Sequence, residues 1–204
     1  MSLALLLPVL AVLILSLSVH EAAHAWASDQ LGDPTARQLG RLTLNPMSHI
    51  DWIGTVLFPV IAFTTGAPLF GWAKPVPVNV QNLREPRRDI ALVALAGPVS
   101  NMVLAVGAAM LLGALGLVPV PLGGGDLGGL LTAMVWMNVA LAVFNMIPVP
   151  PLDGGNVLAG IAPEGVGRIV DALRPHGFII LYALMLSGAL GAIKLEEVAR
   201  IATG

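Results

Sequence analysis

Residues 3–26 read LALLLPVLAVLILSLSVHEAAHAW, and no charged side chain occurs among them before Glu21. A membrane-spanning helix needs about 20 mainly apolar residues, so this run is long enough to cross a bilayer. No basic residue precedes it and its helical pattern continues into His20, so we interpret it as an uncleaved first span and not as a signal peptide. The sequence therefore predicts a membrane protein whose first helix, from about Leu3 to Trp26, ends in ionisable side chains.

Further uncharged runs follow along the chain. Residues 90–120 and 127–152 are long enough to span a membrane, and residues 177–193 form a shorter run. Residues 53–73 are apolar but interrupted by proline and glycine, and we expect them to enter and leave on one side. We predict a single domain over 1–204, an all-α polytopic membrane protein with a three-helix catalytic core, a re-entrant or hairpin segment and one extra helix. The later helices are expected at about 88–117, 127–147 and 176–193.

The composition agrees with a membrane protein and excludes several other classes. Apolar residues make up 56% of the 204-residue chain and charged residues only 11%, whereas an ordinary soluble domain carries about 25% charged residues. The net charge of -2 and the absence of basic runs give no footprint for nucleic acid. Cysteine is absent, so thiolate metal sites and a cysteine nucleophile are excluded.

The end of the first span carries His20-Glu21-Ala22-Ala23-His24, an HExxH sequence. Four residues make slightly more than one helical turn, so both imidazoles lie on one face, about 6 Å apart along the axis, and both can reach one ion. Glu21 lies beside the first histidine and can accept a proton from water without binding the metal. HExxH also occurs by chance in soluble helices, but ionisable groups in a membrane span are costly and usually functional. The motif therefore predicts a zinc site with a neighbouring general base.

A hydrolytic zinc site needs a third protein ligand and an open position for water. Asp153 follows a proline-rich break at the end of the third long apolar run. His49 and Asp51 lie in a loop and could also bind the metal, or could brace the interrupted segment 53–73. His176 begins the last apolar run and is better explained as a histidine at the membrane interface. The residue types alone leave the third ligand open.

Four motifs together resemble those of a known family. HExxH at 20–24 is followed by NxxPxPxLDG at 145–154, each on an apolar segment. Between them, GPVSN at 97–101 is similar to the GPxxN of a middle core helix, and GWAKPVPVN at 71–79 is similar to a segment of compact bacterial and archaeal members. In this order the motifs resemble the site-2 protease family of intramembrane metalloproteases, and the resemblance covers most of residues 1–160.

The resemblance implies one zinc ion per chain, held by His20, His24 and Asp153, with Glu21 as the catalytic base. It also implies cleavage of membrane-spanning substrate segments near the cytoplasmic face. Many members carry PDZ or CBS domains, which we do not expect in a chain of this length. Asn145, within the second signature, could donate to the developing oxyanion or to the substrate backbone, although an intramembrane asparagine often pairs with a neighbouring helix instead.

The lysine and arginine residues of the short loops predict the orientation in the membrane. The loops at 28–51, 74–89 and 149–175 carry such residues, whereas the 118–126 loop carries none. We therefore expect a multi-pass protein of the plasma membrane, with the amino terminus outside and the active site towards the cytoplasm. The expected partners are membrane-spanning protein substrates and the lipid bilayer, and not nucleic acid.

Two stretches between the first spans have extended character. Arg41–Leu44 alternates polar and apolar residues, which favours a short strand. Lys74–Val80 contains two prolines that forbid a helix and remove N–H donors from one edge, while Val76 and Val78 keep theirs on the other edge. We expect this edge to pair with Arg41–Leu44, or with an unwound substrate added as a further strand.

These observations favour a zinc metalloendopeptidase that hydrolyses peptide bonds in membrane-spanning segments. The alternative is a non-catalytic zinc-binding membrane protein, such as a metal carrier or a pseudoprotease. A carrier would not need Glu21 and would usually have polar groups along a full crossing path, which this sequence lacks. The several apolar runs argue against a soluble type of zinc protease tethered by one span.

Overall fold

A computed structural model describes residues 3–65, 72–119 and 126–187. Within these ranges the backbone forms helices and loops and contains no β-strand. The helices are α1 (Leu3–Gln30), α2 (Thr35–Gln38), α3 (Phe58–Thr65), α4 (Pro86–Ala114), α5 (Leu127–Asn145), α6 (Asp153–Ile161), α7 (Glu164–Leu173) and α8 (Gly177–Leu186).

The three longest helices form the centre of the structure. They contain the stretches that are long and apolar enough to cross a membrane, Leu6–Gln30, Pro86–Ala114 and Leu127–Asn145. α1, α4 and α5 pack against one another, and an aliphatic cluster lies buried between α4 and α5. The cluster consists of Ala105, Ala108, Leu112, Leu131, Val135 and Val139. The predicted all-α polytopic membrane fold and its three-helix core are confirmed.

The helix ends differ from the predicted ones by a few residues. α4 ends at Ala114 and not near residue 117, because Gly116 has a φ of 63°, a left-handed conformation that terminates a helix. The last helix, predicted over 176–193, is present as α8 up to Leu186, and residues 188–193 lie outside the described residues.

Residues 52–72 begin and end at the same point of the structure. A wide helical turn of 6 residues, Trp52–Leu57, leads into the 8 residues of α3. Together they extend over about 21 Å at the rise of an α-helix, which is less than the roughly 30 Å of a hydrocarbon core. The N–H of Trp72 donates to the carbonyl oxygen of Gly54 over 3.2 Å, and the hydroxyl of Thr55 donates to the carbonyl oxygen of Trp72 over 2.7 Å. The two ends of the segment therefore lie side by side, as in the predicted re-entrant or hairpin segment.

The expected strand at Arg41–Leu44 is absent, which corrects the sequence prediction. Its expected partner, predicted over Lys74–Val80, has no regular secondary structure up to Asn79, and residues 74–79 are here named the strap. In place of a backbone ladder, the buried guanidinium of Arg41 donates to the carbonyl oxygens of Lys74 and Pro75 over 2.5 and 3.2 Å. Arginine carries five N–H donors on one planar group, whereas the prolines deprive the strap of N–H groups that a ladder requires.

Residues 153–173, which the sequence analysis placed in a loop at 149–175, form α6 and α7. Glycine allows α6 to begin close to the end of α5, because a Cβ on Gly154 would lie 2.3 Å from the carbonyl oxygen of Met146. Farther along α6, a Cβ on Gly160 would lie 2.5 Å from the Cβ of Ala91, so α6 also packs directly on α4. These close contacts direct Asp153, the first residue of α6, towards α1.

A buried carboxylate fastens the far end of the strap. The oxygens of Asp33 accept hydrogen bonds from the backbone N–H of Asn79 over 2.7 Å, the amide of Asn82 over 2.9 Å and the hydroxyl of Thr35 over 2.5 Å. Burial alone would raise the pKa of Asp33, but these hydrogen bonds outweigh it and hold the pKa below its usual value. The strap is thus tied by Arg41 at one end and by Asp33 at the other.

We expect Asp33→Ala to destabilise the protein by about 1–3 kcal/mol near neutral pH, because three part-buried donors lose a charged acceptor, and hydrogen bonds to charged groups contribute this much. A carboxylate whose folded pKa lies below its unfolded pKa of about 3.9 stabilises the fold above that pH and loses this effect as the pH falls through the folded pKa. The difference in thermal unfolding between the wild type and Asp33→Ala in detergent micelles should therefore shrink below about pH 4. Asp171→Ala, which removes an exposed carboxylate, is the control. A difference for Asp33→Ala that is constant with pH would contradict this account.

Candidate metal centre

Two helices bring three potential metal ligands together. α1 presents His20 and His24 one turn apart, with their Nε2 atoms 3.0 Å from each other. The carboxylate oxygens of Asp153 lie 3.1 Å from Nε2 of His20 and 3.4 Å from Nε2 of His24. All three side chains are largely buried, and their ligand atoms lie within 4.8 Å of one another. The three residues that the family resemblance suggested as zinc ligands therefore converge on one point.

The outer nitrogens of both imidazoles face hydrogen-bond acceptors. Nδ1 of His20 lies 2.6 Å from Oδ1 of Asn101, and Nδ1 of His24 lies 2.7 Å from the backbone carbonyl oxygen of Val93. A neutral imidazole carries one proton, and an acceptor at this distance assigns that proton to Nδ1. Both Nε2 atoms are consequently left with bare lone pairs that face each other.

The two Nε2 atoms and the carboxylate of Asp153 thus meet at a buried point, and none of them carries a hydrogen that could form a hydrogen bond to the others. Among the described residues, none donates a hydrogen bond to Oδ2 of Asp153, although this atom is buried. Such an arrangement is stable around a cation, since an unpaired buried acceptor is otherwise costly. Two imidazole nitrogens and one carboxylate oxygen form the donor set of a catalytic zinc site with a fourth position left for water. The residues present therefore fit a zinc ion.

Gly97 on α4 makes room for the two imidazoles. A Cβ at this position would lie 2.5 Å from Nε2 of His24 and 2.6 Å from Nε2 of His20. Real Cβ atoms do not approach other heavy atoms so closely, and α4 would have to move away from α1. The first residue of the GPVSN motif must therefore be glycine, because any side chain there would collide with the two imidazoles.

Glu21 is buried beside the three ligand residues but is not one of them. Consecutive side chains of a helix point about 100° apart, so Glu21 is directed away from the ligand atoms of its neighbours. Its Oε2 accepts a hydrogen bond from the backbone N–H of Val76 over 2.9 Å, so the strap holds the carboxylate in place. This N–H was one of the two expected to form a pairing edge. The hypothesis of a substrate edge on the strap therefore depends on Val78 alone.

A cavity of about 1020 Å³ connects the metal position with the outside of the bundle. His20, Glu21, His24 and Asp153 line its inner part, and apolar residues of the strap and of α5 line its walls. Charged side chains line its outer part: Arg87, Glu164, Arg168, Asp171 and Arg174. The cavity therefore combines apolar walls with a charged, exposed rim beside the metal position.

Asn145 lines the same cavity at the end of α5. Its amide nitrogen donates to the carbonyl oxygen of Leu141 on the same helix over 3.0 Å. Among the described residues it has no side-chain hydrogen bond to a neighbouring helix, which was the alternative role considered for it. Its contribution to catalysis stays a prediction.

The other candidate ligands lie away from the three-residue cluster. Nε2 of the buried His49 contacts the carbonyl oxygen of Thr43 over 2.8 Å. The carboxylate of Asp51 accepts hydrogen bonds from the N–H groups of Ile53 and Gly54 and so begins the re-entrant segment. His176 is exposed. In the structure, His49 and Asp51 brace the loop and the segment that follows it.

One residue that supports the site, Asn101, is identified in the sequence only as part of the GPVSN motif. Asn101 ends the GPVSN motif and holds Nδ1 of His20, although 81 positions separate the two residues. The sequence does indicate a special role for Asn101, because this residue is a polar amide within an apolar run. A polar side chain is costly in a membrane unless it has a hydrogen-bond partner. The identity of that partner depends on how α1 and α4 pack.

Similarity to known proteins extends over most of the chain. Residues 123–187 match Peptidase family M50. YwhC of Bacillus subtilis, named as a zinc metalloprotease, is 38% identical over 186 residues, which cover 89% of this chain and 82% of the relative. Rip2 of Mycolicibacterium smegmatis, also named as a zinc metalloprotease, is 29% identical over 185 residues, which cover 91% of this chain and 69% of the relative. No solved structure matches the chain significantly.

We expect Gly97→Ala to lose most of its bound zinc, because the added methyl group would occupy the space of both imidazoles. Gly107→Ala is the matched control, since a Cβ on this exposed glycine of the same helix meets nothing within 4 Å. Metal analysis of the purified, folded variants measures the effect. Equal zinc contents in the two variants would show that the space beside Gly97 is not required.

Proposed function

Because this chain belongs to peptidase family M50 and is a zinc metalloprotease of the membrane, we propose that it hydrolyses peptide bonds in the membrane-spanning segments of protein substrates. In this proposal one zinc ion per chain is held by His20, His24 and Asp153, and Glu21 is the general base. The observation that carries the proposal is the convergence of three ligand atoms, with Glu21 beside them, on the wall of one large cavity.

Zinc, when bound there, supplies the Lewis acidity that makes a water molecule a nucleophile near neutral pH. Glu21 accepts the proton of the attacking water at a carboxylate oxygen and passes it to the leaving amide nitrogen. The N–H of Val76 restrains Oε2 of this carboxylate, so that Glu21 does not swing out into the cavity. The negative charge of Asp153 offsets part of the charge of the cation, which favours an aspartate over a third histidine where the dielectric constant is low.

Asn145 is proposed to donate to the developing oxyanion or to the substrate backbone. Its amide group carries two hydrogens, and one of them is used by the carbonyl oxygen of Leu141. Because Asn145 lines the cavity, the second hydrogen is proposed to bind an oxygen of the substrate. A donor placed in this way stabilises charge that develops only during the reaction.

Water is proposed to enter through the charged outer part of the cavity, on the cytoplasmic side of the plasma membrane. Arginine residues are concentrated at that end, on α4, α7 and the turn that follows α7, and basic residues near membrane spans favour the cytoplasm. Apolar walls suit a segment that arrives from the bilayer, and the charged outer part admits the water that hydrolysis consumes. The membrane-spanning substrate and the orientation of the site both belong to this proposal.

We expect Asp153→Ala to lose most of its bound zinc, while His49→Ala and Asp51→Ala keep it. The first variant removes a ligand atom from the cluster, whereas the other two remove side chains that bind only the loop and the start of the re-entrant segment. Metal analysis of purified, folded protein provides the measurement. If Asp153→Ala keeps its full zinc content and His49→Ala loses zinc, the third ligand is His49 in the loop and not Asp153.

We expect Glu21→Gln to keep zinc and to lose proteolysis by about 10²–10⁴-fold, because glutamine cannot accept the proton. The assay uses purified protein, zinc and a panel of single-span substrates in micelles or vesicles. Glu164→Gln is the matched control, since it removes an exposed carboxylate from the outer part of the same cavity. Equal cleavage by wild type and Glu21→Gln would refute the assignment of the base, and zinc binding without any cleavage by the wild type would favour the non-catalytic alternative.

A further inference from the structure

We propose that Asn138 on α5 is a positioning residue for the metal centre, and that it acts on His20 through Asn101. Asn138 touches neither the ligand atoms nor the cavity. The proposal rests on the zinc site described above, but it concerns what sets the affinity of that site and not the reaction.

A chain of hydrogen bonds runs from α5 through α4 to α1. The amide nitrogen of Asn101 donates to Oδ1 of Asn138 over 2.7 Å and to the carbonyl oxygen of Ser16 over 3.3 Å. The amide nitrogen of Asn138 donates to the hydroxyl of Ser16 over 2.9 Å and to the carbonyl oxygen of Met134 over 2.8 Å. Asn101, Asn138 and Ser16 are each 0% exposed, so water cannot replace any of these partners.

The chain permits only one orientation of the two amide groups. All four amide hydrogens have acceptors, and both amide oxygens have donors, when Oδ1 of Asn101 faces Nδ1 of His20. Turning the Asn101 amide around would place its oxygen against Oδ1 of Asn138 and the carbonyl oxygen of Ser16, which are both acceptors. Turning the Asn138 amide around would place its NH₂ group against the NH₂ group of Asn101, and both are donors. Since unpaired polar groups are costly when buried, Asn138 and the carbonyl oxygen of Ser16 together determine that Asn101 presents an acceptor to the histidine, and Asn138 makes the shorter of the two contacts.

This acceptor determines which nitrogen of His20 is free for the metal. With an oxygen at Nδ1, the proton lies on Nδ1, and Nε2 keeps the lone pair that faces His24 and Asp153. His24 is oriented by the backbone carbonyl oxygen of Val93, which no side-chain substitution removes. The site therefore has one histidine oriented by the main chain and one oriented by a side-chain relay from a third helix.

The relay predicts a specific pattern of zinc affinities. Loss of a group that orients a metal-binding histidine typically weakens metal binding by about 10–100-fold, and we expect this range for Asn101→Leu. For Asn138→Leu we expect a weakening of about 10-fold, at the lower end of this range, because Asn101 loses the nearer of the two acceptors that fix its orientation. If Asn138 acts through Asn101, the double variant should bind zinc no more weakly than Asn101→Leu alone, because effects within one relay are not additive.

The experiment measures the dissociation constant for zinc by competition with a chelator, in detergent-solubilised full-length protein. Ser16→Ala and Ser28→Ala form a matched pair that keeps the test decisive if Asn138→Leu does not fold. Both serines lie fully buried on α1, but Ser16 accepts from Asn138, whereas Ser28 donates only to the carbonyl oxygen of Ala25. We expect a several-fold loss of zinc affinity for Ser16→Ala and none for Ser28→Ala.

Three results would overturn the inference. The first is a folded Asn138→Leu variant with wild-type zinc affinity, and the second is equal affinity in Ser16→Ala and Ser28→Ala. The third is an additive loss in the double variant, because a merely structural role of Asn138 would add to that of Asn101. Any of these would leave the proposed protease function intact, whereas a wild-type protein that binds no zinc would overturn both.

Discussion

The structure depends on the cost of burying polar groups inside an apolar helix bundle. An amide, imidazole or carboxylate that loses its water must find a partner, and each unpaired group costs about 1–3 kcal/mol. The histidines of α1 meet this requirement on their outer side, where Asn101 and the carbonyl oxygen of Val93 accept their protons. On the inner side, three acceptor atoms are left facing one another, and a bound metal ion would complete the arrangement.

The metal centre also requires that helices approach one another closely. Glycine permits this near the site because it has no side chain at the contact. Gly97 lets α4 lie against the imidazoles of α1, and Gly154 lets α6 begin beside the last residues of α5. Helices in a membrane associate through such close contacts because lipid is as apolar as the helix surfaces themselves. The same contacts that hold the bundle together therefore bring Asp153 to the histidines.

The strap shows how irregular backbone is accommodated next to the site. Backbone without regular hydrogen bonds survives at membrane depth only where protein or a water-filled cavity covers it. Arg41 binds two of its carbonyl oxygens, Glu21 binds the N–H of Val76, and Asp33 binds the N–H of Asn79. Because the proposed base is itself one of these partners, the position of Glu21 is coupled to a segment that also walls the cavity. The charged side chains of this region thus serve both the fold and the site.

The sequence by itself determined the membrane class, the three long helices and the spacing of His20, Glu21 and His24. These features depend on hydrophobicity and helical geometry within a few adjacent residues, which the sequence displays directly. Only the tertiary structure decided that Arg41 holds the strap by its side chain, that residues 153–173 are helical, and that Asn138 reaches His20 through Asn101. Each of these depends on contacts between residues far apart in the chain, and such contacts arise only when the helices pack and exclude water, so that every buried donor must take the acceptor that packing places beside it.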